Sequence, residues 1–338
     1  MPLSLCDRLP EVGAEDLVSG LVPPPHFGQV SFDSYRPDPY YPGQSAAVAA
    51  ARAFVSGGDR PRKRGLFRKA APAEMRPGIY FDGGFGVGKT HLLASIWHAT
   101  EGSKAFGTFV EYTHLVGALG FAAAVEALSD LRLVCIDEFE LDDPGDTVLM
   151  SSLLMALTEH GVRLAATSNT LPDALGEGRF AADDFLREIQ GLSAHFDVIR
   201  IDGVDYRHRG VPSAPPPRTA DDVAAMAAAT PGATLDRFDA VCEHLSRVHP
   251  SKYARLVEGV PLVGLTGVHR LTSQDVALRL VVLVDRLYDN DVPVAAAGES
   301  LGAIFGPEML KGGYRKKYFR ALSRLAALAE LVGDRSPR

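Results

Sequence analysis

The sequence predicts an α/β fold in which a parallel sheet is covered by helices on both faces, and two observations support this prediction. From residue 78 to residue 202, short continuous apolar segments alternate with longer stretches of helical composition. Strands that are apolar throughout are typical of parallel sheets with two buried faces. The first apolar segment, 78–81, also leads into the glycine-rich run GGFGVGKT (83–90) and then into a second apolar run. This strand–loop–helix order is that of a phosphate-binding loop.

Ahead of the sheet, residues 1–77 are predicted to form an N-terminal arm, a helix and a basic loop. Prolines are frequent up to residue 45, and they predict that the stretch 21–44 is extended, because proline is excluded from helix interiors. An alanine-rich helix is predicted from Ser45. The segment Arg60–Lys69 then carries six basic residues and no acidic one, which indicates an exposed loop.

Residues 78–209 are predicted to form the nucleotide-binding core. Its strands are predicted at GIYF (78–81), GTFVEY (107–112), LRLVCID (131–137), VRLAATSN (162–169) and FDVIRID (196–202). The helices between them are predicted after Thr90 and at HLVGALGFAAAVEAL (114–128), TVLMSSLLMALTEH (147–160) and DDFLREIQGL (183–192). Residues 210–232, rich in proline and alanine, are predicted to be an exposed linker.

Residues 233–338 are predicted to be a C-terminal α/β region. Its elements are a helix at LDRFDAVCEHLSRV (235–248), a strand near VPLVGL (260–265), a long helix Ser273–Asp289, a strand at VPVAAAG (292–298) and a basic terminal helix at 314–332. With 338 residues, two domains or one large domain with an appendage are expected.

Composition excludes several classes of protein. The net charge of −7 disfavours general binding to nucleic acid. The three cysteines are far apart in sequence, which predicts neither a disulfide framework nor a zinc site. The N-terminus lacks the apolar segment of a secretory signal, and no apolar stretch is long enough to span a bilayer. We therefore expect a soluble protein of the cytoplasm.

The phosphate loop predicts which residues hold a nucleotide. Its glycines let backbone N–H groups approach phosphates, and the helix that follows adds a favourable dipole. Lys89 is expected to reach the β- and γ-phosphates of ATP, and Thr90 to bind Mg²⁺. The predicted nucleotide-binding residues are Gly83, Gly84, Phe85, Gly86, Val87, Gly88, Lys89, Thr90 and His91.

Two later strands end in polar residues that complete this prediction. Asp137 and Glu138 follow a buried strand, where an aspartate is expected to bind Mg²⁺ and a glutamate to deprotonate the attacking water. Asn169 ends the next strand and is predicted to hold that water. The order of phosphate loop, Asp-Glu strand and polar-ended strand is that of AAA+ ATPases. No N-K-x-D motif, which GTPases use to read the base, occurs in the sequence.

An arginine from a neighbouring subunit commonly completes such a site. Arg179 and Arg187 follow the polar-ended strand and are both candidates for this catalytic finger, or else solvated arginines on a helix face. Arg279 is predicted to pair with Asp275 at i,i+4 spacing, with nucleotide sensing as the alternative.

Several stretches outside the phosphate loop carry a resemblance. They are VPPPHFGQVSFDSYRPDPYYPGQ (22–44), DEFELDDPGDTVLMSSLL (137–154), ATSN (166–169), DYRHR (205–209), LVDRLYDNDVPVAAAGES (283–300) and FRALSRL (319–325). In this order around the loop they resemble one AAA+ family, ZapE and its mitochondrial Afg-type relatives. The second stretch, 137–154, resembles the family segment D-E-F-x-x-x-D-x-x-D. In that comparison Asp143 and Asp146 correspond to the last two aspartates of the segment.

The resemblance implies a Mg²⁺-dependent ATPase that assembles as a homo-oligomer and remodels a protein partner. In bacteria the family is associated with the division ring and its polymer FtsZ, and in mitochondria with turnover of membrane-protein subunits. It therefore also implies a route to peripheral membrane association through partners.

Two alternatives remain at this point. One is a DNA-linked ATPase of the initiator or helicase-loader type, favoured by the Arg60–Lys69 loop and by the basic, aromatic-flanked stretch Tyr314–Arg324. The other is a scaffold that binds ATP and hydrolyses it slowly, against which Glu138 argues.

Overall fold

The computed structural model describes residues 2–10, 13–58, 76–84, 86–139, 144–169, 191, 193–203 and 214–334. The chain divides into two compact units, and each is described by itself. One unit spans residues 13–208, and the other combines residues 1–12 with residues 209–338.

The unit of residues 13–208 is built on a five-stranded parallel sheet. Its described elements are α1 (Ala14–Ser19), α2 (Pro42–Gly58), β1 (Gly78–Gly83), α3 (Lys89–Ala99), β2 (Lys104–Thr108), α4 (Phe109–Leu119), α5 (Phe121–Ser129), β3 (Leu133–Asp137), α6 (Pro144–Glu159), β4 (Arg163–Ser168) and β5 (Phe196–Ile201). The strand order is β2-β3-β4-β1-β5, and every neighbouring pair is parallel. The α/β prediction is therefore confirmed.

Both faces of this sheet are buried, as the continuous apolar strands predict. Along β1, Ile79 and Phe81 belong to one apolar cluster and Tyr80 belongs to another. Successive side chains of a strand point to opposite faces, so the two clusters lie on opposite sides of the sheet. All three side chains are less than 4% exposed.

Two element predictions in this unit were wrong because helix-start and helix-end signals were overlooked. The strand predicted through residue 112 ends at Thr108, whose side chain accepts from the Glu111 backbone N–H while the Glu111 carboxylate accepts from the Thr108 N–H. This reciprocal capping box starts a helix at Phe109. The single helix predicted at 114–128 is two helices, because Gly120 between them has a φ of 80°.

The N-terminal arm is less extended than predicted. Within the stretch 21–44, a short 3-10 helix spans Pro25–Phe27, and ahead of that stretch residues Ala14–Ser19 are helical. Helix α2 begins at Pro42, three residues before the predicted start at Ser45. Proline is tolerated in the first turn of a helix because the N–H groups there have no carbonyl partner within the helix.

The other unit contains a three-stranded parallel sheet of order β6-β7-β8. Its described elements are α7 (Ala220–Ala229), β6 (Thr234–Arg237), α8 (Phe238–Arg247), α9 (Tyr253–Val257), β7 (Val263–Val268), α10 (Gln274–Asp289), β8 (Val294–Gly298), α11 (Pro307–Lys311) and α12 (Arg315–Asp334). This is the predicted C-terminal α/β region, with the difference that residues 234–237 form a strand and not the first turn of a helix.

The predicted boundaries at both ends of this unit need correction. Residues 210–232 were predicted to be an exposed linker, but α7 lies within them and buries Val223 and Ala227. A capping box between Thr219 and Asp222 starts this helix. The first residues of the arm also belong here, because the Leu3 backbone exchanges hydrogen bonds with residues 233 and 235.

A buried ion cluster joins α10 to α12. The Asp285 carboxylate accepts from Arg320 at 2.8 Å and from Arg324 at its other oxygen, and all three side chains are at most 25% exposed. Burial by itself raises the pKa of Asp285, but the charges of the two arginines outweigh it and hold that pKa below its ordinary value. Two stretches that carry the family resemblance thus meet at this cluster.

We predict that Asp285→Asn lowers the free energy of unfolding at pH 7 by about 2–4 kcal/mol, because it removes the carboxylate that two partly buried guanidinium groups share. A carboxylate with a depressed pKa stabilises the fold above its ordinary pKa of about 4, and that stability is lost as pH falls through the folded-state value. The difference from wild type should therefore shrink at pH 3. Urea unfolding followed by circular dichroism measures both quantities.

The control is Glu243→Gln, which removes the Arg247–Glu243 pair, whose side chains are 64% and 73% exposed. Exposed pairs contribute about 1 kcal/mol or less. Equal losses in the two variants at pH 7 would contradict a structural role for the Asp285 cluster.

Candidate functional site

The phosphate loop runs from the end of β1 to the first turn of α3. Gly86 and Gly88 have φ angles of 80° and 87°, a left-handed conformation that glycine adopts at little cost. Gly88 is the N-cap of α3. The first N–H groups of a helix find no carbonyl partner inside the helix and attract anions. The backbone conformation at Gly86 and Gly88 is therefore compatible with a phosphate group at the start of α3.

Lys89 joins the loop to the polar end of β4. Its ammonium group donates to the carbonyl oxygens of Gly83 at 2.7 Å and Gly84 at 2.6 Å, and to the Asn169 side-chain oxygen at 2.9 Å. Since β1 pairs with β4, both strands end at the same edge of the sheet. Two residues predicted from separate motifs are thus in direct contact, and the Lys89 ammonium is held by three oxygen acceptors.

Thr90 and Asp137 form the second part of the site. The Thr90 hydroxyl lies 3.0 and 3.2 Å from the two carboxylate oxygens of Asp137, and Thr167 donates to the same carboxylate. Burial, and next the charge of Glu138, raise the pKa of Asp137 to about 6, against the opposing hydrogen bonds of Thr167 and Thr90. A divalent cation would favour the ionised form of this carboxylate.

This pair of oxygen donors fits Mg²⁺. That ion is usually held by one or two carboxylates together with substrate phosphates and water, and not by a closed protein cage. Thr90 and Asp137 are the residues that would hold the ion.

Glu138 sits on a strained backbone directly after β3. Its φ of 53° lies in the left-handed region, which is uncommon for a residue with a side chain. The Glu138 N–H donates to the Thr167 hydroxyl at 3.1 Å, and the Phe139 N–H donates to the Thr167 carbonyl at 2.7 Å. The turn is therefore fixed by β4. Strain of this kind concentrates at functional sites.

Comparison with known proteins agrees with this geometry. Residues 13–230 and 211–333 match the model of the AFG1-like ATPases. The chain belongs to the AFG1-like ATPase family. It is 34% identical over 144 residues to the cell division protein ZapE of Escherichia coli K12, a match that covers 39% of this chain and 38% of ZapE. The lactation elevated protein 1 homolog B of Danio rerio is 26% identical over 155 residues, which are 39% of this chain and 31% of that protein.

The matches therefore span 38% and 31% of the length of these two relatives. Among solved structures, domain III of the replication initiation protein DnaA from Thermotoga maritima superposes with a TM-score of 0.39 at 18% identity, over 52% of this chain and 67% of that one. None of the helices in the described ranges of this AFG1-like chain is long and apolar enough to cross a membrane.

Sequence reasoning missed the contacts of the N-terminal arm with the phosphate loop of this AFG1-like ATPase. The Tyr35 hydroxyl donates to the Val87 carbonyl at 2.6 Å. The predicted nucleotide ligand His91 directs its Nε2 to the arm, 3.0 Å from the Ser31 carbonyl oxygen and 3.0 Å from the Ser34 hydroxyl. The aromatic residues of the stretch 22–44 could have indicated these contacts. The sequence analysis used them only as evidence of the family resemblance.

Other predicted residues lie elsewhere or outside the described ranges. Phe85, Asp143, Arg179, Arg187 and the Arg60–Lys69 loop all fall outside those ranges. Asp146 is in the first turn of α6. Arg279 belongs to the other unit and donates to the Leu245 carbonyl at 3.1 Å. The predicted pair with Asp275 is not formed between these two described residues, because the guanidinium is directed to α8.

Proposed function

We propose that this chain is a Mg²⁺-dependent ATPase that couples ATP hydrolysis to remodelling of a protein partner. The observation that carries the proposal is the meeting of three motifs at one edge of the sheet. Lys89 contacts Asn169, and Thr90 contacts Asp137, although these residues are 80 and 47 positions apart in sequence. Membership in the AFG1-like ATPase family supports the same reaction.

Each residue of the site has a role that follows from its chemistry. Lys89 would exchange its bonds to loop carbonyls for the phosphates of ATP, whose charge it neutralises. Thr90 and Asp137 would hold Mg²⁺, which when bound would supply positive charge that offsets the charge of the phosphates. Glu138 would accept a proton from the attacking water, and Asn169 would orient that water.

The partner is proposed to be a protein of cell division. The support is the name of the E. coli relative, cell division protein ZapE. On this basis we propose FtsZ as the partner and the cytoplasm as the location, with any membrane association made through partners. The DNA-linked alternative has weaker support, because Arg320 and Arg324 of the basic terminal stretch are engaged with Asp285.

We predict that Lys89→Ala abolishes ATP binding, because the cation that faces the phosphates is removed. Glu138→Gln should retain ATP and lose turnover by at least about 100-fold, since only activation of the water is impaired. A nucleotide-binding titration and a phosphate-release assay on both variants separate the two effects. Equal loss of binding in both variants would contradict the role of Glu138 as the base.

The partner prediction uses the same variants. With ATP and Mg²⁺ present, Glu138→Gln should co-sediment with polymerised FtsZ, because it holds the ATP-bound state. Lys89→Ala is the matched control and should stay in the supernatant. Sedimentation of neither variant would reject FtsZ, and binding of duplex DNA with a steep salt dependence would favour the DNA-linked alternative.

We further predict that the active site is completed by a neighbouring subunit. Charge develops on the γ-phosphate during transfer, so an additional cation there stabilises the transition state by several kcal/mol, on the order of 3–4. Arg179 and Arg187 are the proposed donors. Mixing Lys89→Ala with Arg179→Ala, or with Arg187→Ala, should restore part of the activity that each lacks alone. No recovery in either mixture, with a wild-type rate independent of protein concentration, would indicate a self-contained monomer.

A further inference from the structure

Residues 27–35 of the N-terminal arm lie along α3, and the last of them contacts the phosphate loop. The Phe27 carbonyl oxygen is 2.8 Å from the His98 Nε2, near the C-terminal end of α3. The Ser31 carbonyl oxygen is 3.0 Å from the His91 Nε2, near its N-terminal end. Tyr35 then reaches Val87 within the loop itself. The arm therefore runs antiparallel to α3, with hydrogen bonds at both ends of the helix.

Tyr35 contacts the loop through both its hydroxyl and its ring. The hydroxyl donates to the Val87 carbonyl at 2.6 Å, and the side chain is buried. The ring lies against Gly88, where an added Cβ would stand 2.4 Å from the Tyr35 Cε2 atom. A tyrosine phenol is protonated at neutral pH, and burial raises the pKa of Tyr35 further, so its hydroxyl is a donor. The contact thus requires glycine at position 88 and a hydroxyl on the ring.

The bond to Val87 fixes the direction of the next amide. In a trans peptide the carbonyl oxygen and the following N–H point in opposite directions across one plane. Holding the Val87 carbonyl against the arm therefore turns the Gly88 N–H away from the arm. The first N–H groups at the start of α3 are the groups that a phosphate needs.

The Val87 side chain is held as well. It is 6% exposed and belongs to the same apolar cluster as Tyr35 and Phe32. An added Cβ at Gly203 would stand 2.5 Å from the Val87 Cγ1 atom and 3.2 Å from the Gln44 Nε2 atom. Gln44, at the start of α2, in turn donates to the Asp202 carbonyl at 3.0 Å.

We propose that Tyr35 is a positioning residue for nucleotide binding, which holds the phosphate loop in its anion-binding conformation through the Val87–Gly88 peptide. The arm is then part of the nucleotide site, although no residue of the arm carries a phosphate-binding motif. This inference rests on the proposed ATPase function. It goes beyond that function by assigning a binding role to a segment more than 40 residues before the loop in sequence.

The test compares Tyr35→Phe with Tyr112→Phe. Tyr112 is the matched control, because its buried hydroxyl also donates to a backbone carbonyl of the same unit, that of Cys135, at 3.1 Å. Each variant loses one buried hydroxyl–carbonyl bond, so both should lower the urea midpoint to a similar extent. Tyr35→Phe alone should weaken ATP and ADP binding, by roughly three- to tenfold, the loss expected for one such bond.

The steady-state kinetics of Tyr35→Phe should show an effect on KM and not on kcat. Since Tyr35 acts on the loop and not on Glu138, KM for ATP should rise while kcat stays within about twofold of wild type. Wild-type affinity in Tyr35→Phe, or equal loss in both variants, would overturn the inference and leave the proposed function intact. A wild-type protein that binds no ATP would overturn the proposed function itself.

Hydrogen exchange gives a readout that is independent of activity. If the arm and the nucleotide stabilise the same loop conformation, each must stabilise the other by linkage. Binding of ADP should therefore slow amide exchange in residues 27–35 of the wild-type protein and of Tyr112→Phe, and slow it less in Tyr35→Phe at equal occupancy. Unchanged exchange in the wild-type arm on saturation with ADP would overturn the inference.

Discussion

The parallel pairing of β1 with β4 is the constraint on which the candidate site depends. Neighbouring strands of a parallel sheet end at the same edge, where ligands of α/β proteins bind. The register aligns Asp82 with Ser168, so that Gly83 and Asn169 follow side by side. Lys89 can therefore contact both strands at once. Strand β3 is the next strand of the sheet, and it brings Asp137 to the same edge.

A second consequence of this arrangement is that the strained backbone of Glu138, which follows β3, is stabilised by a residue of β4. Glu138 has a left-handed backbone that costs on the order of 1 kcal/mol or more. Thr167 on β4 accepts the Glu138 N–H and donates to the Asp137 carboxylate, so one hydroxyl stabilises both residues. The proposed base and the proposed metal ligand are thus fixed by a strand that lies next to theirs in space and about 30 residues later in sequence.

The stretches that resemble the family beyond the phosphate loop have physical explanations of two kinds. Tyr35 belongs to a segment that contacts the loop, and its proposed effect is on the nucleotide site. Asp285 belongs to a segment that pairs with Arg320 and Arg324, and its effect is on the stability of the other unit. Similar resemblance in sequence therefore reflects a binding role in one place and a structural role in another.

Much of the fold could be predicted because its signals are local. Apolar strands, glycines at left-handed positions and the order of the three motifs are all visible along the chain, and they located Lys89, Thr90 and Asp137. Errors arose where one short signal competed with another. The capping box at Thr108 ended a strand that the following β-branched and aromatic residues predicted to be longer. The capping box at Thr219 started a helix in a segment that its prolines predicted to be a linker.

The sequence by itself thus determined the fold class and the residues proposed to hold phosphate and metal, because each depends on residue types at fixed spacing. Only the tertiary structure decided that Lys89 contacts Asn169, that Thr167 accepts from the Glu138 N–H, and that Tyr35 donates to Val87. These contacts join residues that are between 29 and 80 positions apart. Strand order, register and the path of the arm bring them together, and no local pattern of residues encodes those three properties.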